Sequence, residues 1–115
     1  MIKKSFEQVT EVRKNMRGGT GEVTIRHYFN KDEINASCRL CAQLVLAPGA
    51  GIGLHEHTNE DEVFIIQQGE AMVTDEGKEI KLQAGDSILT GNGASHAIKN
   101  IGNDNLLITA VIMQY

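Results

Sequence analysis

His55 and His57 are two residues apart, so on an extended strand both imidazoles point to one face. Glu62 opens the next apolar run, and His96 begins a later one. Three neutral imidazoles and a carboxylate suit a divalent transition metal such as Mn, Fe, Co, Ni or Zn. The carboxylate offsets part of the ion's charge. Four protein ligands on an octahedral ion leave two positions for water, oxygen or a bidentate ligand. Two histidines on a strand are by themselves an ordinary surface or core feature. Glu62 and His96 turn the pair into a candidate metal site. Asp61 is the rival carboxylate if the preceding loop is one residue shorter.

These residues need a scaffold of strands. From residue 22 onward the chain reads as short β-rich runs: 22–29, 37–46, 54–57, 62–68, 71–74, 79–82, 87–90, 96–101 and 106–114. The run Val63-Phe64-Ile65-Ile66 is expected to be buried on both sides. Asp75-Glu76-Gly77-Lys78 reads as a hairpin turn. Residues 1–16 stay open: Ile2, Phe6, Val9, Val12 and Met16 have helix-like spacing, while Val9–Val12 reads equally as a strand. Many short strands separated by turn signals describe an all-β sandwich or barrel.

The spacing of glycines around the four candidate ligands resembles the cupin family. Gly49, five residues, His55-x-His57, four residues, Glu62, six residues and Gly69 follow its first motif. Gly85, five residues, Gly91, one residue, Gly93, two residues, His96, three residues and Asn100 follow its second. Gly91 departs from the pattern, which has proline there. The resemblance covers residues 49–100, about half the chain. It implies a double-stranded β-helix, or cupin jelly-roll barrel, with a short N-terminal arm. Residues 1–30 would form the arm and first strand, and 31–115 the barrel, in a single domain. It implies metal ligation by His55, His57, Glu62 and His96, and structural roles for Gly49, Gly69, Gly85, Gly93 and Asn100. It further implies a homodimer with N-terminal strands as the contact. The reaction classes it offers are isomerase, dioxygenase and decarboxylase. These act on small polar carboxylates, sugars or diols, and a non-catalytic binding or sensing role is the alternative.

Other residues carry weaker signals. Arg39 and Gln43 share one face of the 37–46 strand. If that face lines the barrel, Arg39 pairs with a substrate carboxylate; otherwise both meet solvent. His27 either reaches the pocket mouth or is a solvated strand residue. Cys38 and Cys41 form a C-x-x-C inside a strand, where positions i and i+3 face opposite ways, so two reduced thiols are expected. Arg17-Gly18-Gly19-Thr20-Gly21 lacks the lysine and helix of a phosphate loop and reads as a flexible turn. The chain has 115 residues, and 11 basic against 15 acidic residues give a net charge of −4. Scattered cations and five aromatics do not suit nucleic acid. No run approaches a membrane span and the N-terminus lacks a signal-peptide core, so a soluble cytoplasmic protein is expected.

Overall fold

A computed structural model describes residues 1–115. Ten strands form two facing sheets: β1 (Thr10–Lys14), β2 (Glu22–His27), β3 (Cys38–Leu46), β4 (Gly51–Glu56), β5 (Glu60–Gln68), β6 (Glu70–Asp75), β7 (Lys78–Gln83), β8 (Ser87–Gly91), β9 (Ser95–Asn100) and β10 (Leu106–Gln114). The larger sheet has the order β1-β2-β3-β10-β5-β8 and the smaller β4-β9-β6-β7, all pairs antiparallel. This is an all-β jelly-roll sandwich whose edges do not close. The N-terminal ambiguity resolves into a 3₁₀ turn at Ser5–Glu7, then β1, then a second 3₁₀ turn at Met16–Gly18. No helix is long and apolar enough to cross a membrane.

Period-two alternation builds the core. In β10, Leu106, Ile108, Ala110 and Ile112 point inward between half-buried neighbours. Ala42, Leu44 and Leu46 of β3, Phe64 and Ile66 of β5, and Val23 and Ile25 of β2 meet them. Ile98 of β9 and Val73 of β6 close the core from the other sheet. The run at Val63–Ile66 differs from expectation: Ile65 is 42% exposed, because β5 has only one face against the core.

The turns follow their chemistry. Glu76 and Gly77 both have positive φ, at 50° and 79°, as the tightest hairpin turn requires. Gly49, Gly69, Gly85 and Gly93 also have positive φ. Buried Asn100 donates to the carbonyls of Leu46 and Asp104 at 2.9 and 2.8 Å and accepts from Gly102 N at 2.8 Å. It ties the β9–β10 turn to the end of β3. At Gly91 an added Cβ would lie 1.7 Å from Asp61 Oδ1. That carboxylate accepts from the Tyr115 hydroxyl at 3.1 Å, which in turn accepts from Asn92 N. A larger residue at 91 would break this latch, which accounts for glycine in place of proline.

Two β-bulges set the site. Ile52 pairs with Ile98 while His55 pairs with His96, so β4 holds one extra residue at Gly53–Leu54. Without it, residues 52 and 55 would face opposite ways; with it, both point inward. Likewise Leu40 pairs with Ile112 but Cys38 with Met113, leaving Arg39 as the extra residue in β3. The bulge changes the expectation for the thiols. Cys38 and Cys41 pair with Met113 and Val111, two outward residues of β10, and so share one face, where both remain free.

Candidate metal centre

His55 leaves β4, His57 follows its last residue, Glu62 stands in β5 and His96 in β9. His57 is fixed by backbone bonds to the β8–β9 turn, its N donating to Ala94 O at 3.0 Å and its O accepting from Gly93 N at 2.9 Å. The His55 Nδ1–H donates to Gly53 O at 2.7 Å, a bond made by the bulge, which leaves Nε2 as the free lone pair. Phe64 stacks on His96 with centroids 4.8 Å apart and an interplanar angle of 12°.

The four donor atoms converge. His96 Nε2 lies 3.0 Å from His57 Nε2 and 3.1 Å from His55 Nε2. Glu62 Oε1 lies 3.0 Å from both His57 Nε2 and His96 Nε2. Three ring nitrogens cannot satisfy one another with hydrogen bonds at these distances, whereas a cation among them satisfies all. Adjacent ligands about 2.1 Å from an octahedral ion stand about 3.0 Å apart, against about 3.4 Å for a tetrahedron. Four of the six donor pairs match the octahedral edge and all four atoms lie within 4.8 Å of one another, so the residues fit a divalent transition metal. Asp61, the rival carboxylate, is turned to Tyr115 instead.

Charge and burial tune the groups differently. Burial pushes the His55 pKa below its ordinary 6.5. Glu62, hydrogen-bonded to His57, pushes that residue above 6.5 despite burial. Burial acts to raise Glu62, but His57 and His96 together outweigh it and hold the carboxylate below its ordinary 4.5. Glu60 Oε2 lies 3.4 Å from His57 Nδ1, attracting its charge without a well-aligned hydrogen bond. Glu60 also takes Arg39 through Nε at 2.9 Å and Nη2 at 2.8 Å.

The cluster opens into a cavity of roughly 120 Å³ with apolar walls from Ile25, Leu44, Ile52, Phe64 and Ile112. Arg13, Arg17, Arg39 and His27 also line it. Arg39 reaches it because the β3 bulge turns it inward, although its guanidinium is already engaged by Glu60. His27 is held 3.3 Å from Glu11. Gln43 does not belong to the site. It lies on the outer face of β3, where no bulge redirects it, and donates to Gln67 at 3.1 Å. Sequence reasoning missed Arg13, Arg17 and Glu60 as site residues and read Phe64 as core alone. Phe64 could have been found: it follows Glu62 by two and so shares its face.

The glycine-rich segment is held in place rather than free. Asn15, Arg17 and Gly18 adopt left-handed conformations with φ of 51°, 54° and 81°. Gly51 N donates to Thr20 O at 2.8 Å. A Cβ at Gly19 would stand 2.2 Å from Gly51 O, and one at Gly53 would stand 2.1 Å from Arg17 O. Glycine on both sides lets this strap lie directly on β4.

Comparison with known proteins agrees with this fold. The family model described as "Cupin domain" matches residues 42–112. An oxalate-binding protein from Thermotoga maritima is 42% identical over 113 residues, covering 98% of this chain and 93% of the relative. A crystal structure of a predicted oxalate decarboxylase from Thermotoga maritima superposes with a TM-score of 0.94 at 41% identity, covering 100% of both chains. An RmlC-like cupin from Shewanella frigidimarina shares the fold at 17% identity, with a TM-score of 0.73 over 99% of this chain and 90% of that one.

Proposed function

The chain belongs to the cupin family, and from that membership we propose that it holds a divalent transition metal at His55, His57, Glu62 and His96 and binds a small carboxylate there. The carrying observation is the convergence of three imidazoles and the Glu62 carboxylate, their donor atoms all within 4.8 Å of one another, inside a cavity rimmed by arginines. The bound ion would act as a Lewis acid toward a coordinating carboxylate. The cavity is far below the ~300–1,000 Å³ of drug-sized pockets, which favours a ligand of a few non-hydrogen atoms. The relative named for oxalate makes that dicarboxylate the first ligand to test.

Binding without turnover is the reading the side chains favour. Glu60 is committed to Arg39 and His27 to Glu11, so neither stands free as a proton donor. The second reading, decarboxylation, is favoured by the placement of His27 in the cavity wall, within reach of a ligand if Glu11 lets go. Other cupin chemistry, on sugars or diols, has less support from an arginine-rimmed site.

The test begins with elemental analysis of the purified protein and of protein loaded with Mn, Fe, Co, Ni or Zn. We expect one metal per chain, and loss of it in His55→Ala. Calorimetry with oxalate then reads binding, and formate and CO₂ release read turnover. A His55→Ala protein holding as much metal as the wild type would sink the assignment.

The proposal extends to a homodimer and a cytoplasmic location. Exposed Ile2, Phe6, Val9 and Val12 on the N-terminal arm and Ile65, Leu89 and Met113 elsewhere support a covered apolar surface. The two free thiols suit a reducing compartment.

A further inference from the structure

The arginines lining the cavity are not equivalent. Arg13 donates to Glu11 at 3.1 Å, and Arg39 is held by Glu60. Arg17 has no carboxylate partner. Its position comes from the backbone: it sits at the strained centre of the strap, and the strap is seated on β4 by the close approach of Gly19 to Gly51 and of Arg17 O to Gly53. Strain of this kind persists where the surrounding structure over-determines it, and it recurs at ligand clamps.

We propose that Arg17 pairs with the second carboxylate of a dianionic ligand, so that the site selects short dicarboxylates over monocarboxylates and neutral diols. The inference rests on the metal-and-carboxylate reading above. A charge count supports it. A divalent ion with ionised Glu62 leaves one positive charge, and Arg13 and Arg39 are neutralised by their own partners. Arg17 adds one more, and the sum matches a dianion. The planar guanidinium fork suits a carboxylate held on both oxygens. The small cavity limits the separation of the two carboxylates, so the shortest dicarboxylates fit best.

The test is calorimetry of Mn-loaded protein with oxalate and with glycolate, a two-carbon monoanion. The variants are Arg17→Gln and Arg17→Lys. Arg17 is exposed, so its substitutions leave the fold intact, and metal analysis with thermal melting checks this. Arg17→Gln is expected to weaken oxalate about tenfold, the scale of one charged hydrogen-bonded contact. Glycolate is expected to change less than about twofold, as for a distant surface charge. Arg17→Lys falls between, keeping the charge and losing the fork. Wild-type oxalate affinity in Arg17→Gln, or equal weakening of both ligands, overturns the role of Arg17 while leaving metal-dependent carboxylate binding in place. If the wild-type loaded protein binds neither ligand, the reading under the proposal fails and the role of Arg17 falls with it.

Discussion

His55 and His57 reach one point with opposite protonation tendencies. Burial keeps His55 neutral, while Glu62 makes His57 retain its proton above pH 6.5. In the metal-free protein the His57–Glu62 pairing is stabilising below the ordinary histidine value and is lost as pH rises through the raised one. Glu62, held low, adds stability that is present above 4.5 and is lost as pH falls through its lowered value. Metal must displace the His57 proton, so affinity rises with pH and binding releases protons near pH 6.5. Calorimetric metal titrations in two buffers of different ionisation enthalpy should give different apparent enthalpies; identical ones would show that no proton is released and that His57 is already neutral. Glu60→Ala removes the carboxylate behind His57 and should weaken metal binding about tenfold, read by chelator competition. Phe64→Ala should cost about 3–5 kcal/mol in chemical unfolding and also loosen His96. The four converging residues were legible because histidine, glutamate and glycine spacing survives as a linear pattern. Arg17 and Glu60 were not: their roles depend on which neighbours already carry a partner, which linear order does not record.

At the scale of elements, strand content and most turns were readable from alternation and turn residues, down to the hairpin at Asp75–Lys78. The two bulges were not. An inserted residue leaves no mark in a period-two pattern unless the partner strand is known, and so Arg39 was put on one face with Gln43, and Cys38 and Cys41 on opposite faces. The hairpin offers a control for the site. Gly77→Ala meets no atom within 4 Å, so its cost is conformational only, about 1–2 kcal/mol, with metal binding unchanged. The latch at the end of β8 predicts coupling. Gly91→Ala expels the Asp61 carboxylate from beside Tyr115, and Asp61→Ala removes the obstacle. The double variant should therefore be more stable than the sum of the single losses implies, by about 0.5 kcal/mol or more in a denaturation cycle.

For the whole molecule, the radius of gyration of 13.5 Å matches the roughly 13 Å expected of one compact domain of this length. The arm still carries Phe6 and Ile2 at 86% exposure, more apolar surface than a lone small domain usually shows. Light scattering should give twice the chain mass, and a Phe6→Asp, Val12→Asp variant should give a monomer that still binds metal. A wild-type monomer would rule out the dimer. The extra residue in β4 also sets how this molecule can change length. Deleting Leu54 keeps every ligand and the His55-x-His57 spacing, yet it acts on the strand as a lost base acts on a reading frame. Either Ile52 or His55 must then turn to solvent. The count of residues between the core and the first imidazole is thus as much a part of the metal site as the imidazole itself.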